Sequence, residues 1–201
     1  MVAPSIAAKA AGYDSVAFGS AQDFLAGFEP AKTCCIILDV QLPGMSGLEI
    51  QEVLQARKTD VPVLILTGHA DIPMAVQAVK KGALDVLEKP IKLDVLTDRL
   101  QQAQELYVHW QKLERERREI AARISRLTPR EVEVFGLMAD GMKNTAIAKR
   151  LGISRKTLDI HRTKVMAKMK ARTWSDLARW RFLHESGPGG AVTIEPGSFV
   201  S

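Results

Sequence analysis

Three residues of this 201-residue chain are of types suited to phosphoryl transfer. Asp39 follows the apolar run Cys34-Cys35-Ile36-Ile37-Leu38, Thr67 follows Val61-Pro62-Val63-Leu64-Ile65-Leu66, and Lys89 closes the segment that opens with Ala83 to Leu87. Continuous apolar runs suit parallel strands buried on both faces. The carboxyl ends of such strands line one crevice, where open α/β sheets bind ligands. There a carboxylate attacks phosphorus, while a hydroxyl and an ammonium stabilise charge on the phosphoryl oxygens. One polar residue at a strand end is ordinary; three at successive ends form a pattern.

A second signal is electrostatic. Residues 123–182 hold 15 Lys+Arg against 5 Asp+Glu, a net +10, whereas residues 1–122 hold 13 against 16, a net −3, and 183–201 contribute −2. A compact segment this basic is the footprint of a polyanion binder, because each neutralised phosphate releases counterions. A solvated basic face gives the same charge, so charge alone does not decide.

The elements that position these groups alternate along the first half. A helix over Ser5–Gly12 precedes a short strand, Val16-Ala17-Phe18, and a helix over Gln22–Gly27. The apolar runs named above give three buried strands. Between them a Pro-Gly-Met-Ser-Gly loop (43–47) leads into a helix over Leu48–Arg57, and a helix over Ile72–Lys80 ends at Gly82. This alternation predicts a doubly wound α/β parallel sheet with helices on both faces. From Leu93 to Leu127 there is neither Gly nor Pro, which predicts one long helix. Its apolar residues Leu96, Leu100, Ala103, Tyr107 and Trp110 follow a short heptad, then resume at Leu113, Ile120, Ile124 and Leu127. Such a stripe suits either contact with a second helix or packing within the chain.

Beyond Thr128 the periodicity is helical. Thr128-Pro129-Arg130-Glu131 combines a capping box with proline at the first helical position. Gly141 stops that helix, Asn144–Arg150 forms a second, Ser154 caps a third reaching about Lys170, and Ser175 caps a fourth ending near Leu183. Trp174 and Trp180 read as core of that fourth helix. The glycine- and proline-containing residues 186–201 read as a disordered tail.

Composition excludes several classes. The chain is 46% hydrophobic and 25% charged, with no apolar run long enough to cross a bilayer and no signal-peptide pattern at Met1-Val2-Ala3-Pro4. Two adjacent cysteines, Cys34 and Cys35, provide neither a disulfide framework nor a metal quartet and read as core. A membrane protein, a secreted miniprotein and a zinc finger are thereby excluded, and a cytoplasmic location is expected. No catalytic triad, P-loop or haem motif occurs, so no enzyme is predicted.

The stretches Leu38-Asp39-Val40-Gln41-Leu42-Pro43-Gly44-Met45-Ser46-Gly47, Leu66-Thr67-Gly68-His69 and Glu88-Lys89-Pro90 resemble, in order and spacing, the flavodoxin-like receiver domain of bacterial response regulators. The resemblance covers residues 1–92. It implies Asp39 as phosphoacceptor, Thr67 as switch hydroxyl, Lys89 as phosphoryl-binding lysine and a cis peptide before Pro90. It also implies Mg2+ bound by Asp39 and the Gln41 carbonyl. Two departures accompany it. The chain begins inside the family's first helix, so the first strand and the acidic pair that completes the magnesium site are absent; either the native start lies upstream or this receiver is degenerate. Val86 stands where the family usually has an aromatic.

A second resemblance covers residues 124–183. Leu127 to Val134, Asn144 to Ser154 and Lys156 to Arg162 look like a LuxR-type helix-turn-helix, a small all-α domain. Ile147, Leu151 and Ile153 would pack the turn, and Leu158, Val165 and Met169 would form the buried side of the third helix. Its other side presents Lys156, Thr157, Asp159, Ile160, Arg162, Thr163 and Lys164, a width that fits the major groove. Arg155, Lys156 and Lys164 are candidates for phosphates, Asp159, Ile160 and Thr163 for base edges, and Thr128, Lys143 and Asn144 for backbone anchoring through helix starts. His161 suits helix packing as well as it suits DNA.

Joined through a linker helix over 93–123, the two parts look most like FixJ-type response regulators. The resemblance implies a DNA-binding transcriptional regulator of a two-component system, phosphorylated on Asp39 by a histidine kinase and homodimeric when active. Two alternatives stand beside it: a phosphorylation-independent DNA binder with a degenerate receiver, and a phosphotransfer module whose basic domain does not read DNA.

Overall fold

The structure, a computed structural model, describes residues 4–42, 44–69 and 71–185. The chain separates between Gln111 and Lys112 into two compact units. In the first lie α1 (Pro4–Ala10), α2 (Ala21–Gly27), β1 (Ile36–Asp39), α3 (Gly47–Ala56), β2 (Val63–Thr67), α4 (Ile72–Lys80), β3 (Asp85–Glu88) and the start of α5 (Leu93–Ile124). The strands are parallel, in the order β1-β2-β3, with Asp39 opposite Leu66 and Thr67 opposite Glu88.

Every residue of β2 is buried, as its unbroken apolar run requires of a central parallel strand. Alternation sends successive side chains to opposite faces. Val63 and Ile65 join Ile36, Leu38, Ile50, Leu54 and Ala78 on one side of the sheet. Leu64 and Leu66 join Ala8, Leu87, Leu96 and Leu100 on the other. Helices therefore cover both faces, as the doubly wound pattern predicts.

Two expectations need correction, and for the α5 stripe the chain supplies its own partner. Val16-Ala17-Phe18 is not a strand: Val16 is 80% exposed, and no strand among the described residues pairs with the segment. Three apolar residues supply β-propensity, but a strand also needs a ladder partner for its N–H and C=O groups. Phe18 instead packs edge-on against Phe24, ring centroids 5.6 Å apart. The two cysteines lie just before β1 rather than inside it, both as free, half-buried thiols; burial pushes the Cys35 thiol up to about 12. The heptad stripe of α5 faces its own chain. Leu96, Leu100 and Ala103 are buried, and the Tyr107 hydroxyl donates to the Pro30 and Ala31 carbonyls at 3.3 Å each.

The second unit holds the end of α5, α6 (Pro129–Ala139), α7 (Asn144–Leu151), α8 (Arg155–Met169) and α9 (Trp174–Glu185). Ile120, Leu127, Val134, Phe135, Ile147, Leu158, Val165, Met169 and Leu177 form its core, so the last turns of α5 fold with this unit. Ser175 does not cap α9. Thr173 does, accepting the Asp176 N–H at 3.2 Å while the Asp176 carboxylate accepts the Thr173 and Arg172 N–H groups at 2.8 Å. Moving the cap two residues upstream leaves Trp174 in the first turn and 60% exposed rather than in the core. Trp180 does pack against the core, with the Arg123 guanidinium 5.1 Å from its ring centre. Pro43 of the 43–47 loop and the tail at 186–201 lie outside the described residues.

Candidate phosphoryl-transfer site and nucleic-acid interface

Asp39 ends β1 and Lys89 follows β3, so the parallel strands carry both to one edge of the sheet. Their side chains form an ion pair. The other carboxylate oxygen, Oδ1, accepts the Gln41 N–H at 3.0 Å. Both groups are about a quarter exposed, so the carboxylate is oriented by two donors yet open to a reactant. Thr67, 4% exposed, is engaged differently: its hydroxyl donates to the His69 carbonyl at 2.8 Å and accepts the His69 N–H at 3.2 Å. The structure thus joins Asp39 to Lys89 and keeps the Thr67 hydroxyl within its own loop. Lys89–Pro90 is cis, as the resemblance implies.

A magnesium ion asks for a near-octahedral set of oxygen ligands. The described residues offer one carboxylate here, already engaged by Lys89 and by the Gln41 N–H. No group of three His, Cys, Asp or Glu side chains able to hold a metal occurs among them. These residues alone do not complete a magnesium site.

In the sequence Gly47 is only part of a loop motif, yet in the fold it sets how closely α3 approaches Asp39. A Cβ at position 47 would lie 2.5 Å from the Asp39 carbonyl oxygen, 3.0 Å from its carbonyl carbon and 3.2 Å from the Leu38 Cβ. The Ser46 capping box starts α3 at this point, so the helix cannot yield without losing its cap. Gly47→Ala is therefore expected to cost about 1–3 kcal/mol through overpacking. It should also slow phosphoryl uptake at Asp39; denaturant unfolding and the rate of loading by acetyl phosphate check the two effects.

In the second unit the structure exposes Arg155, Lys156, Asp159, Ile160, Thr163 and Lys164 along α8, while Leu158, Val165 and Met169 are buried. Thr157 is half-buried and shares a 2.8 Å hydrogen bond with Ser154 at the cap. Thr163 donates to the Asp159 carbonyl at 2.9 Å. Lys143 is the exposed N-cap of α7, Asn144 its half-buried first residue, and Thr128 the side-chain cap of α6. Arg162 is half-buried beside α6 and α9 rather than aligned with the exposed residues. His161 is half-buried too, its Nδ1 without a partner, as packing would have it.

Two residues at the start of α6 hold this surface in place. Arg130 donates to the Leu151 carbonyl at the end of α7. Glu131, 3% exposed, accepts from Lys168 of α8 and from the Thr128 N–H. The α6 start thus fixes both helices of the helix-turn-helix. The capping box pointed to Glu131, but nothing in the spacing pointed to Lys168. The Lys168 ammonium and the Thr128 N–H hold the Glu131 carboxyl at about 2, below its usual 4.5. A depressed carboxyl contributes stability above its unfolded value and loses it as pH falls through the folded one. The second unit should therefore lose stability between about pH 4.5 and pH 2. Glu131→Gln should lower its melting temperature at neutral pH and flatten the acid limb, which thermal melts across that range would reveal.

Family models match both units: a response regulator receiver domain over residues 5–101 and the bacterial regulatory proteins of the luxR family over 125–181. Nodulation protein W of Bradyrhizobium diazoefficiens is 40% identical over 171 residues, 85% of this chain and 75% of that protein. Transcriptional regulatory protein FixJ of the same organism is 38% identical over 84% of this chain and 82% of its own length. The C4-dicarboxylate transport transcriptional regulatory protein DctR of Rhodobacter capsulatus is 45% identical over 78% and 81%. Among solved structures, the response regulator StyR aligns with a TM-score of 0.70 at 35% identity, covering 86% of this chain and 87% of that one. No helix among the described residues is long and apolar enough to cross a membrane.

Proposed function

The chain belongs to the FixJ-type response regulators, two-component transcriptional regulators that join a receiver domain to a LuxR-type DNA-binding domain, and on that premise we propose that Asp39 is its phosphoacceptor and that α8 reads DNA. Both matched family models describe regulatory domains. The observation that carries the first assignment is the Asp39–Lys89 ion pair at the carboxyl edge of the parallel sheet. A histidine kinase partner presents a phosphohistidine, and an Asp39 carboxylate oxygen attacks its phosphorus. The P–N bond breaks, and the imidazole leaves as its nitrogen takes up a proton. The Lys89 ammonium, released from the carboxylate, pairs with a phosphoryl oxygen. Thr67 follows by exchanging its bonds to His69 for one to the phosphoryl group. Of the magnesium ligands that receiver domains use, the described residues contribute at most Asp39 and the Gln41 carbonyl.

On the DNA side, Arg155, Lys156 and Lys164 hold phosphates, Asp159, Ile160 and Thr163 face base edges, Thr128, Lys143 and Asn144 anchor the DNA backbone through helix starts, and Thr157 stands at the start of α8. In the active state two copies place their helices on adjacent half-sites, and the second contact becomes intramolecular. We take residues 1–92 as the receiver, 93–123 as the linker helix and 124–183 as the DNA-binding part. The test is duplex binding by the full chain before and after loading with acetyl phosphate. Tighter binding after loading supports the phosphorylation switch. A second reading, DNA binding without phosphorylation, rests on the described residues offering no group of three His, Cys, Asp or Glu side chains able to hold a metal; unchanged affinity after loading would select it.

A further inference from the structure

The luxR-family match begins at residue 125, yet the last turns of α5 fold into the same unit ahead of it. Ile120, on those turns, is 1% exposed and belongs to the unit's core. Three charged side chains of α5 reach α8 and α9 from there. The Glu116 carboxylate accepts Arg179 Nη2 through both its oxygens, at 2.8 and 2.9 Å. Arg117 Nε donates to the Leu183 carbonyl in the last turn of α9 at 3.0 Å. Arg123 lies over Trp180 and donates through Nη1 to the carbonyl of Met169, the last residue of α8, at 3.2 Å. The final carbonyls of a helix have no partner within it, so both arginines satisfy groups that α8 and α9 leave open. From α6, Glu131 takes the ammonium of Lys168 one residue earlier. The carboxyl end of α8 is thus held from two sides, and one of the holds comes from outside the matched DNA-binding segment.

A helix held at one end is a lever. Asp159, Ile160 and Thr163, the residues assigned to base edges, precede Met169 by 6–10 residues, or about 9–15 Å at about 1.5 Å per residue. A tilt of about 10° at the held end moves the farthest of them by about 2–3 Å. Base-edge recognition tolerates roughly 0.5 Å. The ammoniums of Lys156 and Lys164, compact charges on flexible stems, follow a phosphate through the same tilt. Resting on the DNA-binding reading, we propose that the end of α5 is a positioning element of the DNA interface. Through Arg123, braced by Glu116 and Arg117, it fixes the angle of α8 and so sets how sharply the chain discriminates between sequences. Arg123 is then a specificity-determining residue that touches neither base nor phosphate.

The experiment uses the full chain, a duplex it selects from a random-sequence pool and an unrelated duplex of equal length. Each is titrated at several salt concentrations. Arg123→Ala should bind the selected duplex roughly tenfold more weakly. Its affinity for the unrelated duplex and the slope of log affinity against log salt should stay as they are, because no phosphate contact is lost. Glu116→Arg, which faces Arg179 with a like charge, should lower the ratio of selected to unrelated affinity about threefold. Adding Arg179→Glu should restore that ratio, a rescue that a merely disruptive change would not give. Unchanged affinity for the unrelated duplex also shows that Arg123→Ala is folded; where both affinities fall together, Glu116→Arg and the exchanged pair decide alone. An unchanged ratio in folded Arg123→Ala or in Glu116→Arg overturns the proposal, and so does an exchanged pair that fails to restore it. A slope shallower by about 0.9 in Arg123→Ala would make Arg123 a phosphate contact. An altered preference at one base position would make it a base contact. Either result overturns the proposal while the chain still binds DNA. An unaltered chain that binds both duplexes equally, or neither, would instead bring down the DNA-binding reading, and this proposal with it.

Discussion

Asp39→Ala is expected to take up no phosphoryl group from acetyl phosphate and Mg2+ under conditions that load the unaltered chain. The carboxylate is the nucleophile in this assignment, and alanine removes it outright, so the effect is loss rather than reduction. Intact mass after incubation reads the result directly. The structure makes the experiment clean, because Asp39 sits about a quarter exposed at the end of β1 while the core residue Leu38 beside it is 3% exposed. Removing the carboxylate leaves Lys89 without its partner, but that ammonium is itself near solvent, so folding should survive. A phosphoryl group found on Asp39→Ala would sink the assignment and direct attention to another carboxylate.

The largest effect on DNA is expected from replacing Arg155, Lys156 and Lys164 together by alanine. All three are exposed on α8, none has an ion-pair partner among the described residues, and each is assigned one phosphate. The slope of log affinity against log salt should become shallower by about 0.9 for each phosphate lost. Near physiological salt the three losses compound, because counterion release multiplies affinity rather than adding to it. Base preference should persist, since Asp159, Ile160 and Thr163 remain. Titration of a labelled duplex at several salt concentrations measures both quantities. A slope that does not change would mean that this face of α8 does not lie along the phosphates.

The difference between these two sites shows how far local pattern reaches. Asp39, Thr67 and Lys89 were legible because each follows an apolar run, and a parallel sheet brings the ends of successive strands to one edge. Their actual pairing was not legible. Order along the chain does not say that Lys89 would take the carboxylate while Thr67 turned to His69. The α8 face was legible from helical period alone, with Leu158, Val165 and Met169 on the buried side. Arg162 shares its residue type with the DNA-facing cations, yet lies against α6 and α9, because where a helix docks decides which of its borderline positions turn inward.

Gln51 marks the same boundary in the first unit. It reads as one polar residue in an amphipathic helix, yet it is 2% exposed and donates to the Ala78 and Lys81 carbonyls at 3.0 and 2.7 Å. It thereby holds the end of α4 to α3. The failed strand at Val16–Phe18 is the converse, where a short apolar run was present and the partner that pairing requires was not.

By itself, the order of residues determined what depends on neighbours along the chain: element types, the caps at Thr128 and Ser154, the buried faces and the charge of the basic segment. Tertiary structure decided what depends on neighbours in space. It paired Asp39 with Lys89, closed Gly47 onto the Asp39 carbonyl, tied Glu131 to Lys168 across 37 residues and left Arg162 with a buried donor unmet. Periodicity is a property of one backbone, whereas hydrogen bonds and ion pairs are chosen by the packing of several, and the chemistry of both sites lives in that choice.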